Sequence, residues 1–290
     1  MTVRQLELLA DTLVFEADVA GVPGSPLVLL LHGFPQTSHT WRHQLPALEA
    51  AGYFAVAPNQ RGYSPHARPR KVEEYSTDRL IADARTMVKS LGYQRYNLVG
   101  HDWGGQLSWL IAAQFPDDLD SLTVLSRPHP AAFARAMKAD TAQAERSRHH
   151  RAFQDDNAAK ELLADDAKRL RATLRHQGVP EADVTAYLSR LGTYEALNAA
   201  INWYRAPRVA GSTLALPDVP PVKVPTMYLW GDQDATVGRL AAEATAEFVT
   251  GSYRFEVLPG VGHFITDQAP ERTTELLLQH VGAHSPVKRP

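Results

Sequence analysis

"YNLVGHDWGGQLSWL" (residues 96–110) begins as an apolar run, turns on glycine around Asp102, and resumes as an amphipathic stretch. This reads as strand, tight turn and helix, with Asp102 at the tip. Upstream, "PLVLLLHGF" (26–34) is a continuous apolar run ending in glycine, the pattern of a strand buried on both faces of a parallel sheet. "FAVAPNQRGYS" (54–64) reads as a second such strand. "TDRLIADARTMVKSLG" has apolar residues at Leu80, Ile81, Ala84, Met87, Val88 and Leu91, which is helical spacing, opened by a capping Thr77 and closed by Gly92. Downstream comes strand "LDSLTVLS". The alternation predicts an α/β fold with a mostly parallel, doubly wound sheet.

From Pro128 to Pro217 the strand pattern stops, and the chain becomes charged, alanine-rich and helical, from "AAFARAMKADTAQAERSRHHRAF" to "TYEALNAAINWYRAP". Strand and helix then alternate again through "PTMYLWGDQD", "GRLAAEATAEFV" and "YRFEVLPGVGHF" to a last helix from Pro270. The expected organisation is a core made of residues 1–127 and 218–290, interrupted by a helical cap over 128–217.

The 290 residues are 44% hydrophobic, enough for one large core, and the formal charge is -2 with no block of like charges. That pattern gives no footprint for nucleic acid and no polybasic membrane anchor, so a small molecule is the expected partner. Cysteine is absent, which excludes disulfides, thiolate metal sites and a thiol nucleophile. No metal or cofactor is expected. Charges run through the N-terminal window and no apolar run reaches transmembrane length, so a cytoplasmic protein with no membrane span is expected. The composition is compatible with a homodimer.

Gly100-His101-Asp102-Trp103-Gly104 matches the nucleophile-elbow pattern, in which a strand turns sharply into a helix and exposes one side chain at the tip. The plainer alternative is an aspartate that caps the following helix. Two further residues favour chemistry. Asp234 in "WGDQDATVG" and His263 in "LPGVGHF" each follow an apolar strand, and carboxyl ends of strands are where open α/β sheets place their sites. Nucleophile, acid and histidine also come in the chain order of an α/β-hydrolase triad. Asp232 competes with Asp234 for the acid's place.

On the motifs "HGFP" (32–35), "RGYS" (61–64), "GHDWGG" (100–105), "WGDQD" (230–234) and "GVGHF" (260–264), the chain resembles the epoxide hydrolase and haloalkane dehalogenase branch of the α/β-hydrolase superfamily. The resemblance spans almost the whole length. It implies Asp102 as a nucleophile towards carbon, an alkyl-enzyme ester, and hydrolysis of that ester by water activated by His263, with Asp234 orienting the histidine. The chemistry is consistent, because a carboxylate gives an ester that water can cleave whereas a serine would give an inert ether. The backbone N–H groups of Phe34 and Trp103 are implied as the oxyanion hole, and Pro35 as the residue after a cis peptide bond.

Epoxide hydrolases of this branch hold the epoxide oxygen with two cap tyrosines. "NWYRAP" (202–207) resembles the segment around the second and nominates Tyr204, flanked by Trp203. The first tyrosine usually stands four residues before a phenylalanine–glutamine pair. Counting back from Phe153-Gln154 reaches His149, and a register one residue later reaches His150. No tyrosine lies between 97 and 186, so a His/Tyr pair is expected. Pro35, His150, Trp203 and Phe264 are expected to line the substrate pocket.

The first function is therefore opening of an epoxide, with water, to a vicinal diol. A haloalkane or haloacid dehalogenase is the alternative. Phe34 stands where haloalkane dehalogenases commonly have asparagine, and Trp103 and Gln106 where fluoroacetate dehalogenases carry carboxylate-gripping arginines. A non-catalytic binding protein would have no need of nucleophile, acid and base together.

Overall fold

The computed structural model describes residues 3–209, 219–285 and 287. An eight-stranded sheet runs through it: β1 (Arg4–Ala10), β2 (Leu13–Ala20), β3 (Leu27–Leu31), β4 (Phe54–Pro58), β5 (Tyr96–His101), β6 (Leu119–Leu125), β7 (Thr226–Gly231) and β8 (Tyr253–Leu258). Their spatial order is β1-β2-β4-β3-β5-β6-β7-β8. From β4 to β8 every pairing is parallel, while β1–β2 and β2–β4 are antiparallel. The β1–β2 hairpin was not anticipated. Its signal is the alternation in "RQLELLA" and "LVFEADVA" around Asp11-Thr12, half of which faces solvent and so lacks a continuous apolar run.

Strand β3 shows why the central strands are apolar throughout. Leu27, Leu29 and Leu31 enter one buried cluster, Val28 and Leu30 the other, because successive side chains leave opposite faces of the sheet. Helices α2 (Thr77–Ser90) and α3 (Trp103–Gln114) cover the first face. The second face packs against α1 (Gln44–Ala50) and α12 (Pro270–His284) through Leu45, Leu48, Leu276, Leu277 and Val281. In α2 the buried residues include the expected Leu80, Ile81, Ala84, Met87 and Val88. The N-cap position, however, is Ser76, and Thr77 is the first helical residue.

Between β6 and β7 the described residues form six helices: α4 (Pro130–Ala139), α5 (Thr141–Arg146), α6 (His149–Ala152), α7 (Ala158–His176), α8 (Glu181–Leu191) and α9 (Tyr194–Val209). The expected start of the cap at 128 falls in the link between β6 and α4. Its expected end at 217/218 lies outside the described residues. Helix α9 docks on the core, where the Trp203 indole donates to the Arg61 carbonyl (2.7 Å). Helices α7 and α8 bury Leu170, Leu174, Val184, Tyr187 and Leu188 together with Phe264. Short helices α10 (Arg239–Ala244) and α11 (Ile265–Gln268) complete the chain.

Strand order reverses between β3 and β5, whose neighbours on the far sides are β4 and β6. Crevices of open α/β sheets form at the carboxyl ends of strands on either side of such a reversal. Here those ends carry His32–Phe34 and Asp102. Among the described residues, no helix is long and apolar enough to cross a membrane.

Candidate active site

The turn after β5 holds Asp102 at φ 50° and ψ −116°, a backbone conformation that non-glycine residues rarely adopt. The close approach behind it needs glycine, since a Cβ on Gly104 would sit 2.1 Å from the Leu31 carbonyl oxygen. Asp102 occupies the N-cap position of α3, yet its side chain makes no capping hydrogen bond. Instead the Phe34 N–H donates to Asp102 Oδ1 (3.1 Å), and Oδ2 lies 3.4 Å from His263 Nε2. A Cβ on Gly33 would come within 2.4 Å of Asp102 Oδ1, so only glycine leaves room for that carboxylate. The Phe34–Pro35 peptide bond is cis.

His263 follows β8 and faces Asp234 as well as Asp102. Its Nδ1 stands 2.9 Å from Asp234 Oδ2 and 3.1 Å from Oδ1. Asp234 is itself fixed by the backbone, accepting from the N–H groups of Thr236 (2.7 Å) and Val237 (2.9 Å). Asp232 points elsewhere, accepting from the Gly260 N–H. Burial pulls the His263 imidazole towards its neutral form, but the charge of Asp234 and the hydrogen bonds to both carboxylates outweigh it and raise its pKa to about 10. Burial pushes Asp102 up, and the hydrogen bond and charge of His263 more than reverse this, holding its carboxyl below the usual range. Both shifts favour the charged forms of Asp102 and His263.

Above these groups lies a cavity of about 760 Å³, lined by residues of the strand ends and the helical segment. Phe34, Pro35, Asp102, His263 and Phe264 form its core side; His149 and Tyr204 come from α6 and α9. The Tyr204 ring packs among Phe34, Trp103, His149, His150 and Phe153, with centroids 5.6, 5.1, 6.0, 5.3 and 4.9 Å away. Its hydroxyl stays protonated, since burial and then Asp102 raise its pKa well above the ordinary value. Burial lowers the pKa of His149 from 6.5, against the pull of Asp102, so its imidazole is neutral at pH 7.

Two of the expected pocket residues lie off the cavity wall. Trp203 is buried against Tyr63 and Trp103, with centroids 5.9 Å from each, and ties α9 to the core. Adjacent helical residues diverge by about 100°, and here Tyr204 takes the cavity side while Trp203 takes the core side. His150 meets the His149 ring edge-on (4.5 Å) and the Tyr204 ring (5.3 Å), but it stacks on Trp103 (6.5 Å) beneath Phe133 and does not line the cavity. The Trp103 ring is likewise not on the wall; Trp103 begins α3 directly after Asp102.

One residue beside the site escaped the sequence reading. Arg127 is buried, donates to Gln106 Oε1 (2.9 Å) and lies over the Phe133 ring (4.2 Å). A lone arginine after a strand carries no local signal of such burial. Among the described residues, no group of three or more His, Asp or Glu side chains could hold a metal ion.

Comparison with known proteins identifies the family and the fold. The profile of the alpha/beta hydrolase fold family matches residues 26–270. Over 273 residues the chain is 34% identical to "Epoxide hydrolase 4" of Mus musculus, covering 91% of this chain and 75% of that one. It is 32% identical over 298 residues to "Epoxide hydrolase A" of Mycobacterium tuberculosis, covering 90% and 91%. Among solved structures, the Bacillus megaterium epoxide hydrolase in complex with an inhibitor superposes with a TM-score of 0.86 at 25% identity, over 96% of this chain and all of that one.

Proposed function

The chain belongs to the epoxide hydrolases of the α/β-hydrolase fold family, and from that premise we propose that it opens its epoxide through Asp102 and an ester intermediate. The observation that carries this reading is the Asp102 carboxylate itself. It leaves its own helix uncapped, rests Oδ1 on the Phe34 N–H, and turns Oδ2 to the cavity beside His263.

In the first step Asp102 Oδ2 attacks a ring carbon, the C–O bond breaks, and the ring oxygen becomes an alkoxide. Tyr204 and His149, from the opposite wall, donate to that oxygen and supply its proton. The product is a hydroxyalkyl ester of Asp102. Forming it removes one of the two negative charges that hold His263 protonated, so the imidazole pKa drops; its proton passes through water to restore the donor that protonated the ring oxygen, and the neutral ring becomes a base. Water that gives its proton to His263 then attacks the ester carbon. The oxygen resting on the Phe34 N–H takes the negative charge, joined by the Trp103 N–H, and a donor in such a place contributes about 3 kcal/mol to the barrier. Collapse of the intermediate releases the diol and restores the carboxylate. The six helices between β6 and β7 act in this scheme as a cap that supplies the ring-opening donors.

The test separates the two half-reactions. His263→Gln treated with styrene oxide should accumulate a covalent adduct of the full epoxide mass on Asp102, seen by intact mass and peptide mapping. Asp102→Asn should give none. An adduct with a haloalkane and none with any epoxide would overturn the assignment.

A further inference from the structure

His263 sits on a loop, with four residues between the end of β8 and the imidazole. Its ring is aimed by Asp234, but its backbone is held by something else. The His263 carbonyl accepts from His101 Nε2 (2.8 Å), Ser126 Oγ (2.7 Å) and the Ile265 N–H (3.0 Å). A carbonyl oxygen has two lone pairs, so three donors more than saturate it. Two of them are side chains from other strands. His101 is the last residue of β5, directly before Asp102; Ser126 directly follows β6.

Both donors bear marks of constraint. Ser126 is fully buried at φ 54°, a conformation that favours glycine, and its N–H is bound to the Leu229 carbonyl (2.9 Å). His101 is also fully buried, and its Nδ1 has no hydrogen-bond partner. The bond to the His263 carbonyl requires the proton on Nε2, which leaves Nδ1 as a bare, buried acceptor. The two rings lie 5.1 Å apart. Neither side chain reaches the cavity, so neither touches substrate.

We propose that His101 and Ser126 are positioning residues that clamp the His263 carbonyl and thereby hold its Nε2 over the ester carbon of Asp102 for the hydrolytic step. This rests on the reaction proposed above. The clamp ties the base to the end of the strand that carries the nucleophile and to the end of the strand beside it, so base and nucleophile keep a fixed spacing although one is on a loop. Burial lowers the His101 pKa to about 4, which keeps its ring a neutral Nε2–H donor over the working pH range.

The clamp acts on the base, so its loss should slow ester hydrolysis and spare ester formation. Ser126→Gly is the informative variant, since glycine accepts the backbone angle while removing the hydroxyl. With styrene oxide under single turnover, it should form the Asp102 ester within about 2-fold of the wild-type rate and hydrolyse it about 10²-fold more slowly, as a misplacement near 1 Å would. The ester should then be the main steady-state species by intact mass. His101→Leu should behave alike, and His101→Gln, which keeps an N–H donor at similar reach, should recover much of the loss. The downfield proton NMR signal of the His263–Asp234 hydrogen bond should shift or broaden in Ser126→Gly, a readout independent of any substrate. Equal slowing of both steps, wild-type hydrolysis, or an unmoved proton signal would overturn the clamp. Absence of an adduct in His263→Gln would instead overturn the ester reaction and leave the NMR arm to decide the clamp.

Discussion

Asp102 and Tyr204 face one cavity from opposite sides and are held there in different ways. Around Asp102 the constraints are backbone: the Phe34 N–H, the reversed φ, and the missing side chains of Gly33 and Gly104. Around Tyr204 they are five aromatic side chains that meet it edge-on. Backbone groups cannot be repacked without moving strands, whereas rings can slide. In the proposed reaction the strand-end side would set the nucleophile, and the helical side would set which ring oxygen is held and which substrate fits.

Substitutions that break this contrast should have unequal effects. Gly33→Ala introduces a Cβ 2.4 Å from Asp102 Oδ1 and strikes the rigid side. Epoxide turnover should fall more than about 10³-fold, because a displaced carboxylate and a lost oxyanion donor each contribute about 10². A wild-type circular dichroism spectrum would confirm that the fold survives. Tyr204→Phe strikes the adaptable side and should slow ester formation about 10²-fold, the usual scale for a proton donor, with hydrolysis of the ester unchanged in single-turnover assays.

His149→Gln should have a smaller effect, about 10-fold or less at pH 7, with the clearer signature in pH dependence. The folded-state pKa of His149 lies below 6.5, so its ring is neutral above that pH and becomes imidazolium only as pH falls through the lowered value. In a His263→Gln background, ester formation should be flat above pH 7 and rise below 6.5. His149→Gln should abolish that rise.

The last contrast is in stability and touches no substrate. Burial depresses His32 to about 3, and His101, His129 and His280 to about 4. The unfolded chain takes up these protons from pH 6.5 downward and the folded chain does not until about 4, so stability is lost across that interval. His263 has the opposite sign: raised to about 10, it stabilises fully below 6.5, and that contribution is lost as pH rises towards 10. Urea midpoints measured against pH should thus peak near 6.5, and His263→Gln should flatten the alkaline limb alone.

The helical segment is not loosely attached. Arg42 bridges Asp183 of α8 (2.6 Å) and Asp267 of α11 (2.8 Å), while the Tyr187 hydroxyl donates to Asp267 and Gln36 Nε2 to the same carboxylate (2.9 Å). Asp267 lies four residues after His263, and Gln36 two after Phe34. None of this was legible in the sequence, since each partner is distant in the chain and ordinary in type.

What could be read from the chain were features whose cause is local. The 3.6 and 2-residue periods, the apolar run of β3 and the glycines around Asp102 are dictated by backbone geometry a few residues wide. They suffice for the α/β order and for placing Asp102, Asp234 and His263 at strand ends. The orientation of a cap side chain has no such local cause. That Tyr204 meets the cavity while Trp203 binds Arg61, that His149 lines the wall while His150 stacks on Trp103, and that His101 and Ser126 converge on one carbonyl depended on how helices and strands pack. The sequence by itself determined that a carboxylate stands at the turn. Only the tertiary structure decided what faces it, because a helix presents each neighbouring residue about 100° apart and packing alone chooses the face.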